Sequence, residues 1–204
     1  MSTNIQRTLL ASTLAAALLA PATLAAQPPD PSITRGLHLS LRTGGMGIGF
    51  EDDRDATGGG LGLRIGYGFT DRFTAYLGLD GSEMSDSDFE GVPADDDFGA
   101  AVVELGGRFH FRTTERWVPF AEASLSLIGV AFDDDEGREV GYGGPAGSVG
   151  AGLLFFASPT VAIEAGGAFT AGELQHREVN GVDTDVGIAT SAVRIHIGVS
   201  LYPF

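Results

Sequence analysis

The chain has 204 residues, among them 31 glycines and no cysteine, with 12 basic against 27 acidic side chains and a net charge of −15. This length and an apolar content of 43% fit one medium domain and exclude fibrous and wholly disordered chains. Every basic residue is arginine, the acidic excess speaks against a nucleic-acid surface, and without cysteine there is no disulfide, thiolate metal site or lipid-acceptor cysteine.

The N-terminus carries its own address. Met1 to Asn4 are polar, Arg7 is cationic, and Leu9 to Ala20 form an apolar run that ends at Pro21 and is followed by Ala22, Ala25 and Ala26. A charged start, a short apolar core and small residues at a cleavage point make a secretory signal peptide. A membrane-anchoring helix would need about 20 apolar residues, more than this run offers. Cleavage is expected near Ala25 or Ala26, which leaves residues 27–35, with Pro28, Pro29 and Pro31, as a flexible lead-in.

From Leu37 onward the apolar period is two, and no segment carries a capped helical stripe. Leu37, Leu39 and Leu41 alternate with His38, Ser40 and Arg42; a break at Gly44-Gly45, read as a bulge, precedes Met46, Ile48 and Phe50. A second strand alternates Leu61, Leu63, Ile65, Tyr67 and Phe69 with Gly62, Arg64, Gly66 and Gly68, and a third sets Phe73, Ala75, Leu77 and Leu79 against Thr74, Tyr76 and Gly78. The fourth runs from Ala101 to Phe111 with Glu104, Arg108 and His110 on its polar side. In the fifth, Ala121 to Leu127 alternate with Glu122, Ser124 and Ser126. Val149 to Phe156 forms the sixth, Val161 to Phe169 with Glu164 the seventh, and Val193 to Leu201 with Arg194 and His196 the eighth.

Tight turns at Thr70–Arg72, Thr113–Arg116 and Ser158–Thr160 alternate with polar loops at Glu51–Gly60, Gly81–Asp97, Phe132–Gly147 and Ala171–Asp185. Eight strands in an up-and-down meander, with short turns at one end and long loops at the other, predict an all-β, eight-stranded antiparallel transmembrane β-barrel over residues 36–204. The loops and their strand junctions hold 21 of the 27 acidic residues, so the negative charge is expected outside the cell.

The polar face decides which side is in. A water-soluble barrel carries lysine, glutamate and threonine outside and lines a cavity with its apolar face. Here the polar face is small residues with Arg42, Arg64, Glu104, Arg108, Glu122, Glu164 and Arg194 interspersed, and lysine is absent. That set suits a narrow packed lumen. Because an unpaired charge there would cost several kcal/mol, the four arginines and three glutamates are expected to form a mutually satisfied structural network. Tyr67, Phe69, Phe73, Phe109, Phe111, Trp117, Phe120, Phe155, Phe156, Tyr202 and Phe204 cluster toward the short turns as an interfacial girdle, with Phe50, Phe98, Phe132 and Phe169 as a sparser outer belt.

On these features the chain resembles the outer-membrane β-barrel family of OmpA/OmpX type. The carriers are the leader, the eight alternating strands and the closing segment Arg194-Ile195-His196-Ile197-Gly198-Val199-Ser200-Leu201-Tyr202-Pro203-Phe204; Trp117 to Ala123 is similar to the family's fifth strand. The resemblance implies a Gram-negative outer-membrane location. It also implies that Gly198, Leu201 and Phe204 act as the signal to the barrel-insertion machinery, although Pro203 departs from the usual aromatic-any-Phe ending. A peptidoglycan-binding domain of the kind some relatives append is not expected.

Catalysis is not expected either. His38-Leu39-Ser40 has a His-x-Ser spacing, but it faces the lumen, away from lipid, and no nucleophile, base and orienting acid can be grouped. His38, His110 and His196 face inward without a zinc-motif spacing, so neither a metal site nor a cofactor is expected. Asp52-Asp53-Arg54-Asp55, Asp86-Ser87-Asp88, Asp95-Asp96-Asp97 and Asp133-Asp134-Asp135-Glu136 offer hard oxygen ligands without an EF-hand pattern. The expected partners are therefore outer-membrane lipid and lipopolysaccharide, met through divalent cations, for a monomer with a structural or surface-interaction role. A narrow channel or carrier for a small solute is the alternative function, and a lipid-modifying enzyme a remoter one.

Overall fold

A computed structural model describes residues 34–51, 55–85, 98–111, 116–133, 137–179 and 181–203. Eight strands follow one another: β1 (Gly36–Phe50), β2 (Asp55–Gly68), β3 (Phe73–Ser85), β4 (Phe98–His110), β5 (Trp117–Asp133), β6 (Glu139–Ser158), β7 (Val161–Val179) and β8 (Val182–Leu201). Each pairs antiparallel with its sequence neighbour, and β1 pairs with β8 to close the barrel. Among the described residues no helix is long and apolar enough to cross a membrane; the strands cross it.

The outside is apolar where it matters. Leu39 and Leu41 on β1, Leu61, Leu63, Ile65 and Tyr67 on β2, Leu77 and Leu79 on β3, Leu105 on β4, Leu125 and Leu127 on β5 and Ile195 and Ile197 on β8 all face outward, with Leu125 77% exposed. A continuous band of this kind is stable only against hydrocarbon, and about nine to eleven tilted residues per strand suffice to span it. Its lower edge carries Tyr67, Phe69, Phe73, Phe109, Phe111 and Trp117, all exposed near the short turns. Trp117 packs on Phe155 of the adjacent β6 with ring centroids 4.6 Å apart.

The strands do not stop where the hydrocarbon does. Much of what composition marks as loop is ladder: β6 starts at Glu139, β7 runs to Val179 and β8 starts at Val182. The bulge expected at Gly44-Gly45 is absent, because β1 keeps an unbroken register with both β2 and β8 through these residues. Met46, Ile48 and Phe50 therefore stay on the same face as Arg42 and point inward, all nearly fully buried. By the same phase Phe98 and Phe132 lie inside, as do Phe120, Phe156 and Tyr202 at the other end, which corrects their placement in the aromatic belts; Phe169 does face outward.

Two solvents account for this. At membrane depth the outside is hydrocarbon, so apolar residues face out; above it the outside is water, so they turn in. In that upper storey the outward positions are small or polar, as at Gly47, Glu83, Ala131, Gly141 and Glu173, and Met46, Ile48, Met84, Phe98, Val102, Ile128, Val130 and Leu174 pack together inside.

This arrangement makes neighbouring positions unequal. Val130→Asp places an unpaired carboxyl in the upper apolar cluster and should cost about 2–5 kcal/mol. Ala131→Asp, one residue on and facing outward, should stay within about 0.5 kcal/mol. Urea unfolding in lipid vesicles, read by tryptophan fluorescence, would measure both.

Candidate functional site

The lumen is stacked in three layers, and the middle one holds the charges. Period-two alternation sends Arg42, Arg64, Asp80, Glu104, Arg108, Glu122, Glu164 and Arg194 inward from seven of the eight strands. They join in one chain of alternating sign. Arg42 Nη2 donates to both carboxylate oxygens of Asp80 at 2.9 Å. Asp80 also accepts from Arg194, whose other terminal nitrogen donates to Glu104. Glu104 accepts from Arg64 Nη2 at 3.2 Å, and Arg64 grips Glu122 with two bonds of 2.6 and 3.1 Å. Glu122 accepts from Arg108 Nε at 3.0 Å, and Arg108 closes on Glu164 with a second pair of bonds, 3.1 and 2.7 Å.

The chain is anchored at its Glu164 end and along its flank. Glu164 also accepts from Ser200, itself bonded to Ser40, and His196 Nε2 lies 3.3 Å from it. Hydroxyls of Ser126, Ser148 and Thr170 form a ladder across β5, β6 and β7 that ends on Arg194. The guanidinium of Arg64 lies over the Tyr76 ring and that of Arg108 over Phe120, each 3.7 Å from the ring centre. Bidentate pairing and aromatic stacking of this kind use the planar fork of arginine, which lysine lacks.

Room for these side chains comes from missing ones. A Cβ at Gly62 would collide with the Asp80 carboxylate, and one at Gly66 with the ring of His38. The cavity beside Arg42, Asp80 and Arg194 holds only about 30 Å³, space for roughly one or two waters.

Below the charges, toward the short turns, Val118, Phe120, Leu154, Phe156, Ala162 and Tyr202 fill the lumen, and His38 stacks on Tyr202 at 5.4 Å. His110 is fully buried. Ser40 of the His-x-Ser spacing spends its hydroxyl on Ser200, deep inside. Among the described residues no three His, Asp or Glu side chains converge as a metal site.

Asp80 is the member that reading the sequence misses. By composition it belongs to the junction between the third strand and the acidic loop that follows, yet the alternation Thr74, Tyr76, Gly78, Asp80 carries it to the lumen face, opposite Gly62 of β2. With it the arginines meet four carboxylates rather than three. Gly198 lies on β8 opposite Arg42 and Leu201 faces outward at the end of that strand; Phe204, the leader, and the runs Asp52–Arg54, Asp86–Asp97 and Asp134–Glu136 lie outside the described residues.

Removing one link should expose the interdependence. Arg64→Ala leaves Glu122 and Glu104 each with one arginine in place of two, unbalances the buried charge, and should cost about 3–5 kcal/mol in vesicle unfolding. Arg35→Ala, which breaks only the exposed pair with Asp71 at 2.6 Å, should cost less than about 1 kcal/mol.

No protein-family model and no curated protein matches the chain. Solved structures do. Neisserial surface protein A aligns over 82% of this chain and 97% of its own, with a TM-score of 0.63 and 16% identity. The outer membrane protein OprG of Pseudomonas aeruginosa covers 82% of this chain and 96% of itself, at TM-score 0.53 and 11% identity. Ail, the attachment invasion locus protein of Yersinia pestis, covers 82% and 99%, at 0.51 and 14%. The chain has the fold of the eight-stranded outer-membrane β-barrels of OmpA/OmpX type.

Proposed function

We propose that this chain is an outer-membrane anchor with a structural or surface-interaction role, its barrel holding acidic β-hairpins at the cell surface. One observation carries this reading: among the described residues the lumen holds an apolar layer, a matched ionic layer and an aromatic layer, and the cavity beside the charges has a volume of only about 30 Å³. A barrel of this size has an interior just wide enough for side chains, and these side chains use it. The full burial of Ser40 and Ser200 inside the barrel, away from lipid, favours a non-enzymatic role.

On this reading the leader exports the chain, cleavage falls near Ala25 or Ala26, and the closing segment with Gly198, Leu201 and Phe204 directs insertion. The folded barrel acts as a monomer. Its acidic hairpins sit among anionic lipopolysaccharide head groups, and divalent cations bridge the two like-charged surfaces.

In planar bilayers the purified barrel should give no single-channel steps at either polarity; reproducible steps would replace the anchor with the narrow solute channel. In mixed lipopolysaccharide micelles, calcium should raise the melting temperature and a chelator lower it by a few degrees, on the scale of about 1 kcal/mol. Indifference to both would remove the cation bridge.

A further inference from the structure

The two ends of the barrel carry opposite charge. At the long-hairpin end the exposed charges are mostly acidic, among them Glu51, Asp55, Glu83, Asp133, Glu139 and Asp183. The short-turn end has a cationic surplus. Arg35 pairs there with Asp71 at 2.6 Å, and the stretch that joins β4 to β5 adds one charge of each sign, Arg112 and Glu115. Arg72 and Arg116 remain. Among the described residues neither meets a carboxylate; Arg72 is exposed and Arg116 half-buried.

Both arginines are held by their backbones against the aromatic belt. Thr70 Oγ1 accepts from the N–H groups of Arg72 and Phe73 at 3.2 and 3.0 Å, and the Arg72 carbonyl accepts from His110 N–H at 2.8 Å. The Arg116 carbonyl accepts from Phe156 N–H at 2.9 Å. Each stands one residue beyond an exposed aromatic side chain, Arg72 beside Phe73 and Arg116 beside Trp117. Phe73 in turn stacks near Phe69 at 6.5 Å and pairs across the sheet with Phe109. Aromatic belts lie at the level of the lipid headgroups. One further residue advances about 3.3 Å along a strand, and the length of an arginine side chain then carries its guanidinium to the lipid phosphates. The rest of this rim is uncharged: the turn between β6 and β7 is Ser158-Pro159-Thr160, and β8 ends in Tyr202-Pro203.

We propose that Arg72 and Arg116 form a binding rim for anionic phospholipid headgroups in the leaflet that meets the short turns. A guanidinium holds phosphate through two parallel N–H bonds. Zwitterionic lipids offer the same phosphate but cancel its charge within the headgroup, so the unmatched arginines favour lipids with a net negative one. A soluble acidic partner fits less well, because these side chains lie against the lipid-facing belt on short turns rather than on a projecting loop. The acidic hairpins repel the same lipids at the opposite end, which makes the preference one-sided. This inference goes beyond the anchor reading and does not rest on it, since it concerns the other end of the barrel and holds in any bilayer.

Trp117, the sole tryptophan of the chain, adjoins Arg116 and reports on the lipid at this rim. The mature protein is refolded into vesicles of phosphatidylcholine and phosphatidylglycerol, with brominated acyl chains on one lipid or the other, and quenching of Trp117 fluorescence gives the lipid ratio beside it. Phosphatidylglycerol should be enriched about two- to fivefold over its bulk proportion at low ionic strength, falling toward parity in molar salt. Arg72→Gln/Arg116→Gln should bring the ratio close to parity, and Arg72→Lys/Arg116→Lys should retain part of the enrichment. Equal quenching by the two lipids in the native protein would overturn the proposal. So would an enrichment that survives molar salt, or one that the glutamine pair leaves unchanged. Loss of the enrichment on adding inorganic phosphate at constant ionic strength would assign the arginines to free phosphate instead of lipid, and would equally overturn it.

Discussion

Eight ionised groups enclosed in one ring must be matched for the barrel to be stable. Each arginine and carboxylate inside is held away from bulk water, and removing any one of them leaves its neighbours in the chain short of a partner. The alternating order from Arg42 through Asp80, Arg194, Glu104, Arg64, Glu122 and Arg108 to Glu164 meets that demand without a surplus of either sign. It also fixes geometry. Because side chains alternate faces with every residue, a slip of one position in any strand would carry its charges into lipid and its leucines into the ring. The network specifies register more sharply than hydrophobic contact with fluid hydrocarbon could.

The same alternation serves two surroundings. Along β1, Leu39 and Leu41 face lipid while Arg42 turns in, yet a few residues on Ile48 and Phe50 turn in while Gly47 and Gly49 face outward. The backbone does nothing different between these stretches; only the apolar residues move from odd to even positions. The upper storey thus has the interior of a water-soluble barrel, and the lower one the interior of a membrane barrel. Stacked coaxially, they give a rigid column in which the apolar cluster caps the charges from above and the aromatic cluster from below.

That switch explains what was legible in the sequence and what was not. The eight strands, the closed meander and the lumen positions of Arg64, Glu104, Arg108 and Glu122 all follow from counting by twos. Reading apolar as outward along the whole strand then misplaces Phe50, Phe98 and Phe132, because the solvent outside changes while the pattern looks continuous. Glycine-rich stretches such as Glu139–Gly147 resemble loops by composition, although they are strand, paired with β5 throughout and with β7 on either side of a register shift between Gly143 and Ala146. Asp80 was hidden among loop acids for the same reason. Held to one phase, position 80 falls beside Gly62 and position 98 beside Met84, so strict parity was the signal to follow. Which carboxylate each arginine would choose was beyond it, since partners such as Arg194 and Asp80 lie 114 residues apart.

That separation bears on how the barrel is born. Asp80 and Glu104 belong to the third and fourth strands, whereas Arg194, which joins them, arrives with the last. A sheet assembled in chain order therefore holds unbalanced negative charge in its concave side until the final strand swings into place. Completion of the circle and neutralisation of its centre therefore coincide, and a sheet that lacks its last strand is electrically unfinished.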